Sequence, residues 1–452
     1  MNLRLSTAVA AALAVIASTR ALAQDGDVLK SNSILKLDDA ETAAKLRQPQ
    51  ILQAHANTEA ADARVGEQRA GLLPQLSGAV AYQRTTGNSV PRGYSGTAST
   101  STGSNGTTVT TNTWATFNAF SGSLVAQQLL WDFNQTHGRY KSAQALSQSA
   151  FLTERATQLN IVLNVRTAFF SARANRGLAE VARATVANDK RHLEQIQGFV
   201  TAGIRSEIDL AQTRTDLANA QLSQVTYENN YETAKQQLNL AMGVTTEADF
   251  EVADDSLPPV AGETDSQLKP LIDEALKDRP EMLAFEQQVR AQQETISSVK
   301  GAYGPAISAQ AGVSQGGEAI DNLAWNAYVG VNLAWNIFQG GLTNATVREA
   351  EANLRAIAAQ SAGEAQQIAS DVNIARLAVR AGLASQVAAQ AVLKNSKSLL
   401  RLAEGQYQTG IGSIIQLSDA QVAESMAEAQ VIQADFTLAT ARAQLLKALG
   451  RP

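Results

Sequence analysis

The chain has 452 residues, of which 44% are hydrophobic and only 5% aromatic, and its formal net charge is −5. This negative balance argues against a nucleic-acid partner. Because the sequence contains no cysteine, we expect no disulfide framework, no thiol chemistry and no lipid anchor attached through cysteine.

Residues 1–23 have the features of a secretory signal peptide. A cationic start at Arg4 precedes an apolar run and the small-residue site Ala21-Leu22-Ala23. Cleavage would leave Gln24 as the mature N-terminus and, because two arginines leave with the signal, would change the formal net charge from −5 to −7. No later stretch is long and apolar enough for a transmembrane helix. We therefore expect a protein that acts beyond the inner membrane.

The next segments predict a helix followed by a β-hairpin over residues 74–133. Residues 37–71 are rich in Ala, Gln, Arg and Glu and predict a helix that Pro49 kinks or breaks. From Pro74 the hydrophobic period changes to two, which predicts a strand. Residues 85–113 form a Ser, Thr, Gly and Asn tract, typical of a long hairpin loop.

The returning strand is predicted from Trp114 to Trp131-Asp132-Phe133, with Gln127 interrupting an apolar face. That face is assigned Val125, Leu129 and Trp131.

A second hairpin, residues 305–338, alternates more regularly. Apolar residues recur at every second position from Trp325 to Ile337, and asparagines such as Asn326 and Asn332 lie between them. One interpretation is a soluble sheet with one face on a core. The other, favoured by tryptophans at both ends of the apolar stripe, is a lipid-facing ribbon with a wet opposite face.

Two long helical hairpins are predicted over residues 135–243 and 341–450. Residues 135–200 contain no proline and predict one helix, or two nearly continuous ones, of about 100 Å at 1.5 Å per residue. Glycine-centred turns at residues 201–206 and near Gly410 reverse the chain, and Gly243 fits a C-terminal cap. Apolar spacing in the last helix predicts a coiled-coil seam through Val422, Met426, Ala429, Phe436 and Ala443.

The sequence predicts an internal tandem repeat. Residues 200–243 align without a gap on residues 407–450, at an offset of 207 positions, and residues 37–82 align similarly on residues 268–313. Repeat 1 is residues 24–243 and repeat 2 is residues 266–452. An acidic, proline-containing linker, residues 244–265, joins them.

Each repeat supplies two strands, so one chain has four strands and two open edges. Unpaired backbone groups at an edge cannot lie in hydrocarbon, so these strands cannot span a membrane alone. Further copies must close the sheet. Two, three or four chains would all satisfy this requirement.

Several motifs, together with the duplicated layout, resemble the TolC family of outer-membrane efflux proteins. They are a proline at each first strand (Pro74, Pro305), the Arg-Pro-Glu-Met-Leu segment from Arg279, the Trp-x-Ile-Phe-Gln-Gly-Gly run from Trp335, and the Tyr-x-x-Gly-x-x-Ser turn from Tyr407. The order and spacing of these motifs extend over nearly the whole mature chain.

The resemblance implies a mainly α protein with membrane β-structure. It implies a homotrimer whose chains give four strands each to a twelve-stranded outer-membrane β-barrel, continued by a long α-helical coiled-coil barrel through the periplasm. Such a channel-tunnel is a passive exit duct of a tripartite efflux or type I secretion system. Its implied partners are outer-membrane lipid, a periplasmic adaptor and an inner-membrane RND or ABC transporter.

The resemblance also places adaptor docking at the helical turns. The corresponding residues here are Gly203, Ile204 and Ser206 in the first turn and Gly410, Ile411 and Ser413 in the second. The alternative interpretation is that these are only tight reversals, since glycine is favoured wherever φ is positive.

The family's periplasmic gate lies just behind those turns. Its Asp-x-x-Asp pattern falls on Gln416 and Asp419, so the first acidic residue is missing, and Gly412 stands where an arginine is frequent. The remaining candidates are Arg205, Asp209 and Tyr407. A ring of Asp419 side chains, joined by Asp209, would attract cations. Alternatively, Arg205 and Asp209 form an ordinary helix ion pair, and Tyr407 only packs the turn.

No catalytic constellation is found, and we expect neither an enzyme nor a cofactor or metal site. His55, His137 and His192 lie in unrelated segments without a paired-ligand motif. Two other functions stay open: a soluble periplasmic coiled-coil scaffold or adaptor, and a surface receptor or adhesin that uses residues 85–113.

Overall fold

The computed structural model describes residues 33–86, 116–245, 249–263 and 267–452. The predicted signal peptide lies outside these residues, as do residues 87–113 of the predicted loop. The described residues are mostly helical, in α1 (Leu37–Arg47), α2 (Pro49–Ala70), α3 (Gln135–Thr201), α4 (Glu207–Met242), α5 (Lys269–Asp278), α6 (Pro280–Lys300), α7 (Leu342–Gln408) and α8 (Ile414–Ala448). The strands are β1 (Ser33–Leu35), β2 (Gln75–Thr86), β3 (Thr116–Trp131), β4 (Phe250–Val252), β5 (Ala306–Gly317) and β6 (Ala324–Ala334).

The chain divides into two compact units. Of the described residues, the first unit contains those from 33 to 56, those within Leu152–Leu283 and Gly363–Pro452. The second unit contains the described residues within Asn57–Phe151 together with Ala284–Ala362, and it includes the strands β2, β3, β5 and β6.

The predicted effect of Pro49 is confirmed. Helix α1 ends at Arg47, Gln48 is extended with ψ of 118°, and α2 begins at the proline itself, because a residue before proline is disfavoured in the helical region. The predicted cap is confirmed as well: Gly243 has a φ of 73° after α4. A Cβ there would lie 2.9 Å from the Arg47 carbonyl oxygen, so this close approach also favours glycine.

The first unit is held by an alanine-rich core with a few large side chains. Phe169, Phe170, Leu238 and Met242 are fully buried in one cluster. The predicted linker contributes to this core through β4, which pairs in parallel with β1. Three residues are too few to show a period in the sequence, so this strand was not predicted.

The second unit contains a four-stranded antiparallel sheet with the order β2-β3-β5-β6. Directly opposed residues share a face, and the register matches apolar with apolar. Leu333 lies opposite Ile307 and Val329 opposite Ala311, while Asn332 lies opposite Ser308. The predicted alternation of this hairpin is thus confirmed, although β6 ends at Ala334 rather than continuing to residue 338.

The predicted face of β3 is wrong at its end. Val125 and Leu129 pair with Gly312 and Ser308, on the polar face of β5, whereas Trp131 pairs with Ile307 on the apolar face. A β-bulge between Leu129 and Trp131 causes the switch, because one extra residue reverses the side-chain alternation. Strict period-two counting cannot detect such an insertion.

The predicted seam of α8 is also wrong in part. Val422 and Met426 are exposed. The buried stripe instead contains Leu417, Leu438 and Leu445 together with alanines at seven-residue intervals, namely Ala420, Ala427, Ala434, Ala441 and Ala448. Small side chains let neighbouring helices approach closely, so the seam lies where alanine recurs rather than where the largest apolar residues are.

Candidate gate and docking site at the helical turns

The first turn joins α3 to α4 and exposes an apolar tip. The Ile204 amide donates to the Phe199 carbonyl at 2.9 Å and the Gly203 amide to the Val200 carbonyl at 2.9 Å, with φ of 75° at Gly203. This is a Schellman ending, which satisfies the last carbonyls of α3. It leaves the Ile204 side chain 68% exposed.

The second turn, between α7 and α8, has the same design with a stronger cap. Gly410 has a φ of 79°, and the Ile411 amide donates to the Gln406 carbonyl at 3.0 Å. The Ser413 hydroxyl accepts from the Gln416 amide, and the Gln416 side chain accepts from the Ser413 amide, both at 3.2 Å. This capping box starts α8 and leaves Ile411 85% exposed.

Arg205 connects the two turns of the chain. Its guanidinium lies 4.2 Å from the centre of the Tyr407 ring and donates to the Tyr407 carbonyl at 2.9 Å. A cation over an aromatic face is attracted by the ring quadrupole. The Arg205 side chain is therefore directed to the other turn rather than to Asp209, whose carboxylate accepts from Ser206 at 3.2 Å.

Tyr407 is anchored by packing and by its backbone. The residue is 5% exposed and belongs to a cluster with Ile196 and Leu417. Its hydroxyl oxygen is buried and has no hydrogen-bond partner among the residues that the structure describes. Burial is the main cause that raises the pKa of the phenol, with Asp209 adding to it and Arg205 opposing it.

The other predicted gate residues differ in their contacts and in their exposure. Gln416 is engaged in the capping box, and Asp209 is half-buried beside Ser206. Asp419 is exposed on α8 and has no hydrogen bond or ion pair within the described part of the chain. A larger residue at Gly412 would be crowded, because a Cβ there would lie 3.0 Å from the Tyr407 amide nitrogen.

One polar link behind the turns was not predicted. The Ser418 hydroxyl donates to Asp216 at 2.9 Å, which joins α8 to α4, and Gln212 donates to the same carboxylate at 2.9 Å. The two halves of this link are 202 positions apart. Only the tandem alignment, which brings the two turns into register, could have suggested that these segments meet.

Among the residues that the structure describes, no helix is both long and apolar enough to cross a membrane. The same residues contain no group of three or more His, Cys, Asp or Glu side chains arranged to hold a metal ion.

Sequence comparison identifies relatives over most of the chain. The chain is 25% identical to the solvent efflux pump outer membrane protein SrpC of Pseudomonas putida, over 69% of this chain and 68% of that protein. It is 23% identical to the outer membrane protein TolC of Vibrio cholerae, over 90% of this chain and 89% of that one.

The fold is similar to those of solved membrane proteins. A membrane protein from Pseudomonas aeruginosa superposes with a TM-score of 0.78 at 20% identity, covering 93% of this chain and 91% of that chain. The outer membrane channel MtrE of Neisseria gonorrhoeae superposes with a TM-score of 0.74 at 20% identity, covering 94% of each chain. A sequence profile of the outer membrane efflux protein family matches residues 42–244 and 271–451. The chain therefore belongs to the outer membrane efflux protein family.

Proposed function

We propose that this protein is the outer-membrane exit duct of a tripartite efflux or type I secretion system, and that it has no enzymatic role. Substrates would leave through it passively, driven by an inner-membrane RND or ABC transporter. The observation that carries this proposal is the four-stranded sheet of the second unit, which has one strongly apolar exposed face and two open edges.

The apolar face of this sheet fits contact with lipid. Val80 is 92% exposed and Val329 is 84% exposed. Exposure of such apolar side chains to water is energetically unfavourable. On the opposite face Tyr328 lies against Gly312, where a Cβ would come within 2.7 Å of the ring, and asparagines accompany it. An apolar outer face with a polar inner face is the pattern of outer-membrane strands.

The open edges support closure by sister chains. Strands β2 and β6 each pair on one side only within the described residues. An unpaired edge is costly in hydrocarbon. We propose a homotrimer in which three sets of four strands form a twelve-stranded barrel, continued by a helical tunnel across the periplasm.

The paired helices support the proposed tandem duplication. Helices α3 and α7 each have 67 residues, and α4 and α8 have 36 and 35. Each pair ends in a glycine turn of the same design. Such matched hairpins would give a tunnel wall of regular height.

We propose that the two turns dock a periplasmic adaptor and that the residues behind them form the gate. Exposed isoleucines at both tips, Ile204 and Ile411, supply an apolar contact surface. The Arg205–Tyr407 contact would hold the turns of one chain together in the closed gate. Exposed Asp419 would face cations that approach the pore.

Planar-bilayer recording tests this function. Oligomer purified in detergent after extraction from the outer membrane should give discrete ion conductance when reconstituted. A soluble scaffold predicts the opposite: release into the periplasmic fraction on osmotic shock and no conductance. That combination would refute the proposal.

A further inference from the structure

A buried carboxylate on α3 and a half-buried carboxylate on α8 lie where these two helices pack together. In α3 the buried seam runs through Ala182, Val186 and Ile196, and Asp189 lies in the same seven-residue register. In α8 Glu424 lies between the buried Ala420 and Ala427. These positions normally hold apolar side chains. A carboxylate there requires a partner or a function.

A cavity of about 890 Å³ opens at this point of the seam. It begins at Tyr407 and Leu417 and extends past Asp189 to Glu428. A neighbouring cavity of about 300 Å³ also borders Asp189 and includes Asp216. The larger volume lies within the range of small-molecule sites.

Asp189 is the buried group that points to a ligand. Its side chain borders both cavities, and the residue is only 8% exposed. It has no hydrogen bond or ion pair with any residue that the structure describes. Burial, followed by repulsion from Asp216, raises the pKa of its carboxyl group to about 6. Asp189 therefore presents an unpaired carboxylate to the cavity, where a cation is attracted more strongly than it would be in open water.

The groups around Asp189 are mainly acidic. The charged residues that face the two cavities from the other helices are Asp216 on α4, Glu404 on α7, and Glu424 and Glu428 on α8. Burial and Glu428 raise the pKa of Glu424. On α7, Lys397 is 2.9 Å from Glu428 and neutralises that carboxylate.

The cationic groups on α3 do not balance this charge. Burial lowers the pKa of His192, which keeps that ring neutral at ordinary pH. Arg191, which also lines the cavity, donates to the neutral side chain of Asn188 and keeps its positive charge, but the carboxylates outnumber it. The cavity is therefore negatively charged near neutral pH.

We propose that this cavity binds an organic polycation of the polyamine class, with one ammonium group at Asp189 and another at Glu424. An extended amine fits better than a metal ion, because no group of three or more acidic or histidine side chains in the described structure is arranged to hold a metal. The inference goes beyond the proposed duct and holds whether or not the oligomer conducts.

Calorimetric titration of the full-length oligomer in detergent with spermidine tests the proposal. One saturable site per chain is expected. The affinity should rise about 10-fold between pH 5 and pH 7.5, because Asp189 ionises in this range. Asp189→Asn and Glu424→Gln should each weaken binding at pH 7.5 by about 10-fold or more, and Asp189→Asn should also remove most of the pH dependence.

The matched control is Glu349→Gln, at an exposed carboxylate on α7 outside the cavity, which should leave binding unchanged. Unaltered helical circular dichroism would show that each variant is folded. Absence of a saturable heat would overturn the proposal. So would equal competition by Mg²⁺ at matched charge, or full affinity in both cavity variants, since these results indicate only a diffuse counterion atmosphere.

Discussion

At the scale of single residues, Tyr407 presents its ring face and its carbonyl to Arg205, while its hydroxyl has no partner in the described part of the chain. The ring, rather than the hydroxyl, is therefore the part of this side chain that matters for the contact. Gly412 packs closely against the backbone of Tyr407. The arginine over the Tyr407 ring is Arg205, which belongs to the other turn of the same chain.

Substitution at this contact should separate the two parts of the tyrosine. Tyr407→Phe should keep stability and low conductance, because it removes only the unpaired hydroxyl. Tyr407→Ala should destabilise the turns by about 3 kcal/mol, and Arg205→Gln by about 1–2 kcal/mol. Both should increase resting conductance in planar bilayers if the contact holds the gate.

Arg214→Gln, at an exposed arginine on α4, is the control for lost charge. If Arg205→Gln and Arg214→Gln changed conductance equally, the contact would have no part in the gate.

Gln416 and Asp419 should differ in what they affect. Gln416→Ala removes half of the capping box and should lower stability by about 0.5–1 kcal/mol without changing ion selectivity. Asp419→Asn should leave stability unchanged and reduce cation preference, because the exposed carboxylate would act only through its charge. Thermal unfolding and reversal potentials measure the two effects. A selectivity change in Gln416→Ala alone would reverse this assignment.

Asp189 should make stability depend on pH. Its pKa in the folded chain is about 6, above the ordinary value of 3.8. The folded state thus binds this proton more tightly, so the contribution is complete below pH 3.8 and is lost as pH rises through about 6. Asp189→Asn should remove this decline in the apparent melting temperature between pH 4 and pH 7. An unchanged slope would show that Asp189 is not its source.

At the scale of elements, the two helical hairpins end in turns that use backbone bonds internally and leave isoleucine outside. Glycine at positive φ makes this possible, because a side chain at Gly203 or Gly410 would strain the αL conformation. Each turn therefore holds an exposed isoleucine side chain on a fixed backbone. An apolar side chain held in this way is suited to packing against an adaptor.

The double change Ile204→Asp and Ile411→Asp should impair docking without impairing the channel. A carboxylate at each tip would lose its water on contact with an apolar partner surface, and this loss costs free energy of binding. Export of a toxic substrate from intact cells should fall strongly, while conductance of the purified oligomer stays normal. The control is Ile320→Asp, since Ile320 is 74% exposed in the β5–β6 connection of the other unit. Normal export in the double variant would exclude these tips as the docking surface.

At the scale of the whole molecule, the two faces of the sheet should differ in their tolerance of charge. Val329→Arg places a cation on the proposed lipid face and should cost roughly 2–4 kcal/mol per chain, enough to prevent stable assembly. Residue 332 lies on the opposite face of the same strand, so the Asn332→Arg variant should assemble. Outer-membrane fractionation and semi-native electrophoresis of the oligomer measure both. Assembly of both variants would contradict lipid contact at Val329.

The sequence predicted those parts of the fold that depend on local patterns. The break at Pro49, the cap at Gly243, the 67-residue helix α3 and the alternating strand β6 were all placed within a few residues. Each depends on backbone chemistry or on a period visible within one segment. The motifs that resemble the TolC family correctly predicted the family to which the chain belongs.

Only the tertiary structure decided which of several chemically allowed contacts form. The α8 seam follows the alanines from Ala420 to Ala448, because close helix approach depends on the facing helix as well as on α8. The bulge near Trp131 depends on pairing with β5. Arg205 meets Tyr407 across 202 positions. Local periodicity contains no information about such distant partners, since they are selected by packing rather than by neighbouring residues.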